Sequence, residues 1–327
     1  GWAYDITNFV FWIGVGHAGT LISAILLLFR QRWRAGVSRA AETMTIIAIV
    51  CAAIFPVIHL GRPWLMLWVL PLPNSRGPLW VNFSSPLTWD VFAILTYFVV
   101  SLLFWYLGLL PDFASLSHAA TGWRRRVFGL LSLGWNGSLR TWARYEGTCL
   151  LLAGLATALV ISVHSVVSFD FAASLVPGWH TTIFPPYFVV GAIFSGMAMV
   201  LALLVVMRRA MALQSYVTLQ QLDAMCKIML ATSGLLGLAY LIETMTALYG
   251  NHGPDRFMLM LRMQGPLAAY YWAMIACNVL VPQLLWSGRV RRNLPLVFAI
   301  ALLALAGMWL ERFLIIVGSL QRDFLPS

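Results

Sequence analysis

Eight apolar stretches, each long enough to cross a bilayer, constrain this chain more than any single motif. They run over residues 6–29, 40–60, 87–110, 145–167, 186–207, 224–248, 266–287 and 294–319. A hydrocarbon core of about 30 Å needs roughly 20 apolar residues in a helix. Inside lipid, backbone polar groups must bond within their own segment, so such stretches become helices. The expected fold is an all-α polytopic membrane protein, one transmembrane domain over residues 1–327. The longest connections have roughly thirty residues, below the ~50 of the smallest domains, so no soluble domain fits between the helices.

Charge decides the orientation. The net charge is +10, which in a soluble chain would suggest nucleic acid. Here only 10% of residues are charged, and the arginines sit in short connections between apolar runs. Fifteen of the 21 Lys and Arg residues follow stretches one, three, five and seven. That asymmetry is the positive-inside pattern, so this side is expected to face the cytoplasm and both ends of the chain to face outward. It argues against nucleic acid and for a lipid bilayer as the surrounding partner. Cys51, Cys149, Cys226 and Cys277 are scattered singly in apolar runs and read as small buried hydrophobes. No CxxC or CxxCH occurs, so no iron–sulfur or c-type haem motif is present. The chain opens at Gly1 without methionine, as a processed chain or a piece of a longer one would, and no signal peptide is recognisable.

Polar residues can then be placed by depth. Tyr4, Asp5 and Asn8 open the first stretch on the outer side. His59 closes the second there, Asp90 lies one turn inside the third, and Asp170 ends the fourth. Glu243 lies near the outer end of the sixth, with Tyr240 on the same face. Glu311 and Arg312 belong to the outer half of the eighth, whereas Glu42, Glu146 and Asp223 belong to the arginine-rich ends.

The segment from Pro56 to Asp90 organises this pattern. Pro63, Pro71, Pro73, Pro78 and Pro86 rule out a continuous helix, and Trp64, Trp68 and Trp80 suit a membrane–water interface. His59 and Asp90 come from consecutive helices at similar depth. A quinol losing two electrons must also lose two protons. A histidine can take one, and a neighbouring carboxylate can orient the imidazolium. The competing assignment makes His59 a helix end and Asp90 an N-cap.

Other residues carry weaker signals. Glu146, Thr157, His164 and Ser168 return to nearly one helical face; Glu146 to His164 spans about 27 Å, and such a stripe could conduct protons towards Asp170. Thr157 could equally bond back to its own helix. His17, within GVGHAG, reads as a packed histidine among small residues that let helices approach. Arg312 needs a partner at its depth. Glu311 is adjacent and expected to point elsewhere, which leaves Asp170, Glu243 or Asp90. His118, His180 and His252 read as loop residues, and no group suggests a metal.

These residues carry a resemblance. IHLGRPW (58–64), LPLPN…LWVNFSSP (70–86), TWDVFA (88–93) and WLERF (309–313) resemble the NrfD family of polysulfide reductase membrane subunits. Within it the chain is most similar to the larger, quinol-oxidising NrfD-like subunit of bacterial alternative complex III. DITNFVFWIGVGHAGTLISA (5–24) shares that resemblance, which covers essentially the whole chain. It implies two four-helix bundles with no haem or metal of their own. It further implies oxidation of a quinol (menaquinone or ubiquinone) near the periplasmic face of a bacterial inner membrane, where a separate iron–sulfur subunit docks.

A second NrfD-like membrane subunit and c-type cytochrome subunits are the implied further partners. The catalytic residues map onto His59 and Asp90. Asn8, Arg62, Asp170 and Arg312 are expected to bind the quinol or balance its charge, and Glu146, Thr157, His164 and Glu243 to carry protons. Such subunits usually have ten helices, so one is expected before Gly1 and one after Ser327. Two alternatives stand beside this reading. One is an NrfD-like proton-path or scaffold subunit without a quinol site. The other is a b-type cytochrome using His17, His59 or His164 as haem ligands. A retinal protein is excluded, because the single lysine, Lys227, lies at a helix edge.

Overall fold

The computed structural model describes residues 2–59, 61, 62, 64, 83–250 and 252–320, with the side chains of Arg32 and His59 outside the described atoms. Among these residues there is no strand, and eight helical segments are long and apolar enough to span a membrane. They are α1 (Trp2–Leu28), α2 (Ser38–His59), α3 (Pro86–Ala119), α5 (Leu139–Ala172), α6 (Phe184–Ala210), α7 (Leu219–Tyr249), the segment Ala268–Trp286, and α11 (Leu294–Leu320). Three short helices connect them: α4 (Gly122–Leu131), α8 (Gly253–Gln264) and α10 (Gly288–Arg292).

Local chemistry sets several boundaries. Ser85 stands at the N-cap position of α3 and Pro86 opens it, where the missing N–H costs nothing. Asp90 therefore lies inside the helix rather than capping it. Thr218 and Gln221 form a reciprocal capping box at the start of α7. Gln221 also donates to the carbonyl of Trp33 at 3.1 Å, tying that end to the turn between α1 and α2. Helices α3 and α5 each have 34 residues, longer than the apolar runs within them. His118, which reads as a loop residue in the sequence, thus belongs to the last turn of α3.

The seventh span is composite. Helix α9 (Ala268–Ile275) passes into a π turn at Ala276–Leu280 and a 3₁₀ stretch at Val281–Trp286 containing Pro282. A π turn inside a membrane helix displaces the backbone register and turns one extra residue inward. Here the inward residue is Asn278, fully buried.

Helix α1 is the hub. It packs on α2 and α5 on one side and on α6 and α11 on the other, while α3 packs on α5 and α6 on α7. The result is two four-helix groups, α1–α2–α3–α5 and α6–α7–(268–286)–α11. Small residues make this closeness possible. A Cβ on Gly19 would overlap the carbonyl of Ala41 in α2, and one on Gly196 would overlap the Ala18 side chain. The GVGHAG segment is thus the seam for two neighbouring helices at once. Helix α4 buries none of its residues; Phe128 stacks on Phe113 of α3 with centroids 6.3 Å apart.

Candidate functional site

Asp90 lies in the first turns of α3 and is 4% exposed, while Asp170, in the last turn of α5, is half-buried. The contact between α3 and α5 brings the two carboxyl groups close together. Ionised carboxylates only accept, so two neighbouring carboxyl groups can bond to each other only when one of them holds a proton. Among the described residues, Asp90 Oδ1 is buried and has no protein partner. A shared proton beside a free acceptor can bind a hydroxyl-bearing ligand and take a proton from it.

His59 is the last residue of α2, and Pro56 falls inside that helix one turn earlier. Its imidazole lies outside the described atoms, as do Pro63, Pro71, Pro73, Pro78, Trp68 and Trp80 of the expected site wall. Arg62 is exposed just beyond α2, and Trp64 is exposed as well. Asn8, half-buried on α1, accepts a hydrogen bond from Trp309 Nε1 at 2.9 Å. It ties α1 to α11.

The second bundle holds the other charged cluster. Arg312 and Glu311 are buried at 2% and 0% exposure. The Arg312 guanidinium lies 4.1 Å above the Phe188 ring, and its Nη1 is 2.6 Å from Glu311 Oε1. This corrects the expectation that Arg312 would reach Asp170, Glu243 or Asp90. Adjacent side chains on a helix normally diverge, but here burial keeps bulk solvent from competing, and two opposite charges lower their desolvation cost by meeting.

Glu311 also accepts from the Tyr240 hydroxyl, and that hydroxyl in turn accepts from Asn278 Nδ2 at 2.8 Å. A Cβ on Gly191 would stand 3.0 Å from Arg312 Nη2, so the glycine leaves space for the guanidinium.

Glu243 pairs with Arg262 of α8 at 3.1 Å. The same guanidinium donates to Ser319 Oγ at 2.9 Å and to the Gly178 carbonyl at 3.2 Å. Nothing in the sequence singles out Arg262. It sits in a short Met- and Leu-rich helix, and only the fold shows that it turns inward. Beside this pair opens a cleft of about 230 Å³ lined by Ala172, His180, Thr181, His252 and Asp255.

The expected proton stripe of α5 is not one buried line. Glu146 is exposed, Thr157 gives its hydroxyl to the Ala153 carbonyl of its own helix at 2.8 Å, and only His164 and Ser168 are fully inside. His164 meets His17 instead, with their Nδ1 atoms 3.0 Å apart and ring centroids at 4.4 Å. Rings in direct hydrogen-bond contact are not arranged to clamp a haem between them. Among the described residues, no group of three His, Cys, Asp or Glu side chains could hold a metal ion.

A bundle of spanning helices with paired acids at one end and a buried ion network in its second half marks an integral membrane protein. The family model described as "Polysulphide reductase, NrfD" matches residues 1–322, and the chain belongs to this family. It is also similar to a putative dimethyl sulfoxide reductase membrane subunit of Halobacterium salinarum. The two are 24% identical over 324 residues, which cover 98% of this chain and 69% of that relative. The chain is thus an NrfD-family membrane subunit of a redox complex.

Proposed function

We propose that this chain is the quinol-oxidising membrane subunit of a multi-subunit oxidoreductase of the alternative complex III type. The observation that carries the reading is the Asp90–Asp170 pair at the mouth of α3 and α5. His59 ends α2, the helix that packs on α3, at the same side of the bundle. Asp90 takes the proton of one quinol hydroxyl, and His59 takes that of the second. Loss of both protons raises the electron density of the bound ring and lets two electrons leave in turn. Their acceptor is an iron–sulfur centre of a partner subunit docked over that mouth. Arg312 and Asn8 brace the inner wall, and Arg62 stands at the rim.

The arginine asymmetry supports a mouth at the periplasmic face of a bacterial inner membrane. Menaquinone and ubiquinone both fit so apolar an environment, and this chain itself holds no haem or metal. A second NrfD-like subunit and c-type cytochrome subunits complete the complex. Glu243, with His164, is retained for proton movement; Glu146 and Thr157 contribute least, given their positions.

A second reading is favoured by the similarity to the Halobacterium salinarum protein: the same quinol chemistry would feed a dimethyl sulfoxide reductase-type partner. Purifying the native complex and identifying its subunits separates the two. The quinol assignment itself is tested by His59→Ala and Asp90→Asn. Each should leave the complex assembled and lower quinol turnover about 10²–10⁴-fold, the usual worth of a positioned proton acceptor. Near-normal turnover in either intact variant would refute it.

A further inference from the structure

The first bundle buries more polar side chains than its packing needs, and they line up. At the arginine-rich end Glu42 of α2, 6% exposed, accepts a hydrogen bond from Ser23 of α1. One turn deeper, Thr45 donates to the Gly16 carbonyl at 2.7 Å. Thr20, Thr45 and Ser101 surround the Tyr97 hydroxyl in the centre of the bundle. That hydroxyl donates to the His17 carbonyl at 3.2 Å, and the Tyr97 ring meets the His17 ring edge-on at 4.1 Å. His17 then contacts His164. Asp170 follows six residues along α5, about 9 Å of helix further, with buried Ser168 between.

A second, independent observation concerns unsatisfied atoms. Among the described residues, His17 Nε2, Ser101 Oγ and Asp90 Oδ1 are all buried without a protein partner. Leaving such an atom unpaired is unfavourable, and bound water is the usual remedy. Close helix packing accounts for Gly16 and Gly19. It does not account for a carboxyl, two imidazoles and a phenol in the same interior.

We propose that this column is a proton-access path joining the arginine-rich side of the membrane to the His17–His164 pair, with Glu42 as its entry. Protons pass by exchange. Each donor gives up an O–H or N–H proton as the next acceptor gains one, through Glu42, Ser23, the hydroxyls around Tyr97 and intervening water. No electron moves along the column. Its far end rests on the quinol reading, in which the electrons go to an iron–sulfur centre of the partner subunit.

The groups facing the entry are Arg34, Arg39, Tyr145 and Cys149, with Arg39 itself paired to Asp112 of α3 at 3.0 Å. The histidine pair is faced by Arg312 from α11.

The assembled complex in sealed vesicles tests this with a pH jump confined to the arginine-rich side, read by the infrared bands of the buried imidazoles. The wild type should respond. Glu42→Gln and Tyr97→Phe should each respond at least tenfold more slowly, the second removing only one hydroxyl in case the first disturbs assembly. Indifference of the wild type to that side, or undiminished rates in both variants, would overturn the path. Quinol turnover is measured separately on the same preparations; its absence in the wild type would remove the quinol reading without touching the column.

Discussion

At the scale of single residues, burial turns charge into structure. The Arg262 side chain is 7% exposed and holds Glu243, Ser319 and the Gly178 carbonyl together. Replacing it by Met strands a carboxylate in an apolar setting, which costs about 3–5 kcal/mol when a buried pair is broken. Arg262→Met should therefore lower the thermal midpoint of the purified complex markedly, while the double variant Arg262→Met with Glu243→Gln recovers much of it. Equal midpoints for wild type and single variant would show that the pair contributes little.

The sequence made the placement of Asp90 and Asp170 at spanning-helix ends legible, because apolar run length fixes where such ends fall. It left Arg262 and the Arg312–Glu311 contact illegible, since partner choice among buried charges depends on which helices touch. His17 was half legible: the small-residue frame predicted its packing but not His164 across the bundle.

At the scale of elements, apolar run length marked the eight spans, and the structure corrected their ends. Helices α3 and α5 continue past their hydrophobic runs because helical hydrogen bonding persists into polar sequence. The seventh span looked like one helix; its π turn is invisible to hydropathy, which counts composition and not backbone register. Gly307 of α11 packs where a Cβ would overlap Asn278 of that turn. Gly307→Val should therefore break the Asn278–Tyr240 hydrogen bond and expel the turn from the bundle. The expected readout is a complex that assembles poorly in detergent. Leu302 of the same helix lies on an exposed face, so Leu302→Val should assemble normally. Good assembly of the Gly307 variant would show that the turn can shift without loss.

At the scale of the whole molecule, two bundles share one hub, with paired acids at one mouth and an ion network beside it. The described surface near that mouth includes exposed Trp64, Phe83 and Trp89. Aromatic side chains of this kind anchor interfaces, which suits a docked iron–sulfur subunit. Cross-linking from positions 74–82 of the native complex should capture that subunit, and capture of a cytoplasmic protein alone would reverse the proposed orientation.

The most direct measurement is photolabelling of the complex with a quinone carrying a photoreactive ring substituent, followed by peptide mapping. Label is expected on the peptides containing His59, Asp90 and Asp170, displaced by excess natural quinone and lost in Asp90→Asn. Displaceable label confined to the cleft around His180, Asp255 and Arg262, with none at Asp90 or Asp170, would contradict a quinol site at the mouth of α3 and α5.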